Sequence, residues 1–364
     1  MSSHADMLNA NAHQRRHSML SGEKHRFTRT TRVSASAPLD DDIFSGIDSE
    51  KSTPALDPTD LLGWAPGARH RTSLSFEVMP PRHDTDETKI ENLLATLESY
   101  GPDYLAVTSS LRSGWLEGTS NFIAQIDQNT RMRPLAHLTC TAGPTEELIG
   151  WINRLVDSGV RGFLALRGDY PEGQTGPDLG HLPYATDLIR LIRDVEKRQA
   201  ARFGAGRLAV GVAAYPSGHA ESQSHDEDID VLLAKQRCGA DFAITQLFFD
   251  AEDFIRFRER ARLAGVSIPL IPGIIPITSV QRLRRMGGLS GLQVPERLIR
   301  RLEAADTPEG QYEIGMQATA DLARTLLSAD TESLHLYTFN RPDVTVELLD
   351  RIGIAPRTKR RQRS

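Results

Sequence analysis

The chain is poor in cysteine, in aromatic residues and in long apolar runs, and each shortage narrows what it can be. Two cysteines, Cys140 and Cys238, are too few for a disulfide framework and offer no paired metal-ligand spacing. No stretch approaches the roughly 18 consecutive apolar residues of a membrane span. The first 20 residues mix His13, Arg15, Arg16 and His17 with polar residues and hold no apolar core, so no export signal is expected. Lysine and arginine total 43 against 48 acidic residues, a formal net charge of -5, which argues against bulk nucleic-acid binding. What is left is a soluble, cytoplasmic globular protein with neither membrane nor nucleic acid as partner. Assembly into a homo-oligomer stays open.

Composition divides the chain. Residues 1–38 carry six Lys/Arg against two acids, and residues 39–60 reverse the sign with Asp40, Asp41, Asp42, Asp48, Glu50, Asp57 and Asp60. Such a segment cannot bury enough apolar area to offset its ordering entropy. Residues 1–70 are therefore expected to be a disordered or weakly docked extension. The Arg- and Ser-rich start also permits a transit peptide, although no amphipathic stripe supports it. Residues 357–364 form a basic tail.

Residues 71–356 have a regular pattern. Eight short, β-branched-rich runs begin at Leu74, Tyr104, Leu135, Gly162, Leu208, Phe242, Leu270 and Leu334. They alternate with segments of helical period such as Thr145–Ser158, Tyr184–Gln199 and Asp226–Arg237. Eight β–α units over about 285 residues predict a (β/α)8 TIM barrel of class α/β, with extra helix at Pro295–Ala329 before the last strand. A doubly wound sheet is the alternative; no G-x-G-x-x-G follows the first strand.

In such a barrel the chemistry sits at the C-terminal ends of the strands. Those ends are polar here. Glu77 precedes Pro80-Pro81, which cannot continue a ladder, so it falls at the barrel mouth. A carboxyl in this apolar run is expected to have a raised pKa, as suits a general acid; pairing with Arg82 or Arg167 is the competing role. Arg167-Gly168-Asp169 ends the fourth run, where Gly168 permits close backbone approach and Arg167 can grip an anion or close the rim. His137 has no H-x-H partner, so a cofactor contact or a core histidine is expected rather than a metal ligand. His219, His225, Asp226 and Asp228 form a polar loop that composition alone reads as solvated.

Taken together the strand ends resemble those of methylenetetrahydrofolate reductases, the flavin-dependent barrel of the bacterial type. The stretches are Ser75-Phe-Glu-Val-Met-Pro-Pro-Arg82, Val107-Thr108, His137-Leu-Thr-Cys140, Leu166-Arg-Gly-Asp169, Ala213-Ala-Tyr-Pro216, Ile244-Thr-Gln-Leu-Phe-Phe-Asp250, Ile271-Pro-Gly-Ile-Ile-Pro276 and Tyr337-Thr-Phe-Asn-Arg341, in the family's order. The resemblance implies FAD as cofactor, held by Thr108, His137, Arg167, Gly168, Asp169, Tyr184, Ala185, Tyr215, His219, Asp228 and Lys235. It implies Glu77 as general acid, Asp169 and Gln246 on the pterin, and Arg341 on the substrate. The partners implied are 5,10-methylenetetrahydrofolate and NADH or NADPH, and the product 5-methyltetrahydrofolate feeds methionine synthesis. The chain departs from the family at Val78-Met79, where two aromatics are usual. It departs again at Met286, where a phenylalanine commonly stacks on the pyridine nucleotide. A proline dehydrogenase-like flavin barrel and a non-catalytic flavin-binding barrel are the competing functions.

Overall fold

The computed structural model describes residues 72–81, 86–109, 115–170, 173–174, 176–203 and 206–357. The expectations for residues 1–71, Arg82 and the tail beyond Arg357 lie outside the described residues.

Strands and helices alternate along the chain. The order is β1 Ser73–Val78, α1 Glu87–Ser99, β2 Tyr104–Val107, α2 Trp115–Asn129, β3 Pro134–Thr139, α3 Thr145–Asp157, β4 Gly162–Leu166 and α4 Ala185–Arg198. It continues with β5 Ala209–Ala214, α5 His225–Arg237, β6 Phe242–Thr245, α6 Ala251–Ala264, β7 Leu270–Ile271, β8 Gly273–Ile274 and α7 Val280–Ser290. The last elements are α8 Glu296–Glu303, α9 Pro308–Ser328, β9 Ser333–Tyr337 and α10 Pro342–Arg351. Helix starts follow local chemistry. Asp86, Ser224, Asp250, Ser279 and Thr307 each accept a hydrogen bond from a backbone N–H of the first turn.

All strand pairings are parallel, in the order β7-β6-β5-β4-β3-β2-β1-β9-β8. The ends of that order, β7 and β8, are halves of one strand split at Pro272. Proline has no N–H for the ladder, so the first half pairs with β6 and the second with β9. Two side chains brace the split. Thr245 Oγ1 accepts from Gly273 N at 2.9 Å, and Tyr337 Oη donates to the Thr245 carbonyl at 2.8 Å. A Cβ on Gly273 would lie 2.4 Å from that carbonyl, so the closure requires glycine. The result is a (β/α)8 barrel. The expected extra helix before the last strand is two helices, α8 and α9.

The sixth apolar run, Phe242–Phe249, leaves the ladder after Thr245. Gln246 Oε1 there accepts from Leu247 N at 2.9 Å, which turns the chain outward. Leu247 and Phe248 stay buried in irregular backbone rather than a strand. Strand alternation sorts the two faces. Leu74, Phe76, Val78, Leu334 and Leu336 pack in the main core cluster between strands and helices. The opposite parity, Ser73, Ser75 and Glu77 with Ser333, His335 and Tyr337, is directed into the barrel.

Candidate active site

Three ionisable side chains converge at the top of β1, β3 and β9. Glu77 Oε2 lies 3.4 Å from His137 Nε2 and 3.8 Å from His335 Nε2. His335 is wholly buried, and its Nδ1 is 2.9 Å from Ser75 Oγ, in register beside it across the β1–β9 ladder. The Nε2 atoms of both histidines are buried with no hydrogen-bond partner among the described residues. Glu77 is the most exposed of the three, its side chain 20% accessible against 12% and 0%. Tyr337 flanks the group, edge-on to His335 at 5.2 Å between ring centres.

The expected rise in the Glu77 pKa is not what this environment produces. Burial is the largest influence and raises it. The contact with His335, and the positive charge of His137 and His335 when protonated, together outweigh burial and hold the carboxyl below its ordinary value. His137 is itself depressed, chiefly by burial. The acid was expected to face apolar neighbours or arginine; it faces two imidazoles.

A second cluster occupies the mouth of β4 and β5. Arg167 donates to both carboxylate oxygens of Glu221, at 2.5 and 2.9 Å, and that pairing raises the guanidinium pKa. Gly168 has φ +85°, and a Cβ there would meet Thr141 Oγ1 at 2.2 Å, so the turn after β4 admits only glycine. Asp169 is exposed and close enough to raise the Tyr215 pKa, secondarily to burial. Tyr215 packs edge-on against His219, ring centres 4.5 Å apart. Asp228 is buried and accepts from His219 N at 3.2 Å and Ser222 Oγ at 2.6 Å. The loop that composition read as solvated does leave His225 and Asp226 exposed, but Asp228 anchors it. Lys235 is buried, donates to the Ala213 carbonyl at 2.8 Å, and lies 5.7 Å from the Tyr215 ring centre. Burial pushes its pKa down to about 8, against the pull of Asp228. It has no carboxylate at ion-pair distance among the described residues. A cavity of about 730 Å³ opens alongside, lined by His219, Asp228, Phe249, Arg256, Arg260 and Leu292 among others.

The remaining expected residues are more dispersed. Thr108 follows β2, and its carbonyl accepts from Thr119 Oγ1 at 3.0 Å. Tyr184 is exposed at the start of α4, its carbonyl receiving Cys140 Sγ at 3.4 Å, and Ala185 is buried beside it. Gln246 turns back on its own backbone. Met286 is buried with Leu247 and Ile275, with Tyr337 packed against them, rather than open to the mouth. Arg341 is exposed and pairs with Asp343 at 3.2 Å.

Sequence reasoning missed His335, Tyr337 and Glu221. The alternation Ser333-Leu-His-Leu-Tyr337 carried the signal for the first two, since it directs both rings into the barrel. Glu221 lies in a loop with no periodicity to mark it.

The chain is similar to known proteins in sequence and in fold. A family model described as methylenetetrahydrofolate reductase matches residues 66–353. The chain is 31% identical over 287 residues to 5,10-methylenetetrahydrofolate reductase of Pectobacterium carotovorum, covering 79% of this chain and 92% of that one. Against the protein of the same name from Escherichia coli K12 it is 31% identical over 285 residues, covering 78% and 92%. A solved structure from Clostridium thermocellum, described as binding two copies of 5-methyl-5,6,7,8-tetrahydrofolic acid, shares the fold. The TM-score is 0.52 at 16% identity, covering 83% of this chain and 98% of that one.

Proposed function

The chain belongs to the methylenetetrahydrofolate reductase family, and from that premise we propose that it reduces 5,10-methylenetetrahydrofolate to 5-methyltetrahydrofolate, with NADH or NADPH as donor and FAD as carrier, for methionine synthesis. The observation that carries the reading is Glu77 at the barrel mouth, backed by His137 and His335.

The second cluster fits a flavin dinucleotide. Arg167 and the buried Lys235 supply cations for a pyrophosphate, Asp228 an acceptor for ribose hydroxyls, and Tyr215 a ring to pack along the ligand. Gly168 lets the backbone come close. When bound, the flavin would take hydride from the nicotinamide and deliver it to the folate.

The chain's own residues then handle the proton. Glu77 lies within reach of the His137 and His335 rings, so a proton brought to the group can pass between imidazole and carboxylate, and Glu77 is the member that reaches the mouth. Protonating N10 of the folate breaks its bond to the methylene carbon, which opens the five-membered ring and leaves an iminium at N5. Hydride at the exocyclic carbon completes the methyl group. Asp169 and Gln246 flank the mouth as hydrogen-bonding groups for the pterin, and Arg341 offers a cation beyond them. The test is direct. Purified protein should carry bound flavin that NADH or NADPH bleaches and methylenetetrahydrofolate reoxidises; protein that binds folate but no flavin would refute the carrier.

A further inference from the structure

The floor of the barrel, where the strands begin, holds a hollow that the chemistry at the mouth does not use. Tyr104 of β2, Leu135 of β3 and Phe242 of β6 wall it, with the Tyr104 and Phe242 rings 5.5 Å apart. Between them β4 and β5 open with Gly162 and Ala209, too small to fill it. The space is about 30 Å³, apolar inside and open to solvent. That is the size of one or two waters, against roughly 300–1,000 Å³ for a small-molecule site. A free ligand gains too little here to offset its lost freedom. A segment tethered beside the hollow loses far less, because its effective concentration is on the order of millimolar.

The chain enters β1 at the lip of this hollow. Ser73 Oγ donates to the Asp103 carboxylate at 2.6 Å and Leu74 N to the same oxygen at 3.2 Å, and Asp103 borders the hollow. Nine residues upstream of Ser73 stands Trp64, which closes the apolar run Leu61-Leu62-Gly63-Trp64. Nine residues span up to about 30 Å, enough to turn back across the floor, and Pro66-Gly67 supplies a turn pair. The run precedes residue 66, where the match to the family begins. Charge points the same way. Arg133 and Arg161 are exposed at the edge of the hollow, and neither has a carboxylate at ion-pair distance among the described residues. Asp241, on the same edge, is already taken by Arg193 at 2.5 Å and by Arg207. Four arginines against Asp103 and Asp241 leave the edge positive, and the run is preceded by Asp57 and Asp60.

We propose that Leu61-Leu62-Gly63-Trp64 docks on the barrel floor and closes the end opposite the chemistry. The edge of the Trp64 indole enters the hollow against Tyr104 and Phe242, and Asp57 and Asp60 lie toward Arg133 and Arg161.

The experiment is fluorine NMR on the full chain labelled with 5-fluorotryptophan. Its three tryptophans, Trp64, Trp115 and Trp151, give three signals, and Trp64→Phe assigns one of them. In the wild type the Trp64 signal should lie away from that of the free amino acid and be shielded from a soluble gadolinium chelate. Ala209→Leu fills the hollow and should return the signal to the free position, open to the chelate. Arg133→Glu with Arg161→Glu should release it in part without touching the hollow, while the Trp151 signal, from α3, shows that the fold persists. Trp64→Ala should lower the melting temperature by about 2–4 °C in the wild type and by much less in Ala209→Leu, where no docked ring is left to lose. A wild-type Trp64 signal at the free position overturns the docking. So does a shielded signal that ignores both the filled hollow and the reversed charges, which puts the ring elsewhere. Shielding lost on dilution assigns the hollow to a second copy and overturns its occupation by the chain's own segment.

Discussion

The carboxylate of Glu77 and the imidazole of His137 face each other at 3.4 Å across the barrel mouth, one from β1 and one from β3. With His335 behind them, they make a proton-holding group rather than an isolated acid. Removing both imidazoles leaves burial as the dominant influence on Glu77. In His137→Ala/His335→Ala the carboxyl pKa should therefore move up from below its ordinary value to above it. The infrared carbonyl stretch of the protonated acid, followed against pH, measures the change. An unmoved titration would show that the histidines do not set the acid's charge.

The same pair has a consequence for stability. Because the folded-state pKa of Glu77 is lowered, its contribution is present above the ordinary carboxylate range and is lost as pH falls through the folded value. Urea midpoints of wild type and Glu77→Gln should converge as pH is lowered through the acid range. Midpoints that separate further at low pH would reverse the sign.

Lys235 runs the other way. Its folded pKa of about 8 lies below the usual 10.5, so between these values the unfolded chain binds more protons and stability rises with pH. Below about pH 8 the buried charge is a constant cost. Lys235→Met should accordingly stabilise the ligand-free protein at pH 7, by up to about 3 kcal/mol at 1.36 kcal/mol per unit. It should also abolish tight flavin binding. Thermal melts at pH 7 and pH 10 of flavin-stripped protein check both the sign and its disappearance. A destabilised mutant at pH 7 would show that the amine's bond to Ala213 outweighs its burial.

Asp169→Asn removes a carboxylate beside Tyr215 and Arg167. With flavin bound there, its reduction becomes easier, and the potential should rise by roughly tens of millivolts. Reduction by nucleotide should persist while transfer to folate slows. A lowered potential in a spectroelectrochemical titration would place Asp169 away from the flavin.

Much of this was legible in the residues. Alternating strand runs and polar strand ends located the barrel and its mouth, because burial on both faces of a parallel strand leaves a short apolar signature. The runs overshot where side-chain chemistry intervened. Pro272 split the seventh strand, and Gln246 ended the sixth by capping its own neighbour. Glu77 was readable as the acid, but its charge state was not. Its pKa depends on His335, some 260 residues distant in sequence and set beside it only by the closing β1–β9 ladder. Glu221 on Arg167 was illegible for the same reason: loops carry no periodicity to align partners.

The most direct test of the account is Glu77→Gln, followed in the two half-reactions separately by stopped flow. Reduction of bound flavin by NADH or NADPH needs no proton donor at the folate and should continue near the wild-type rate. Reoxidation by methylenetetrahydrofolate needs the ring opened, and glutamine cannot supply that proton at neutral pH. Its rate should fall by at least about 10²–10⁴-fold, while oxidation by a quinone survives. Reoxidation by the folate at the wild-type rate would contradict the account, and the proton donor would then have to be another group.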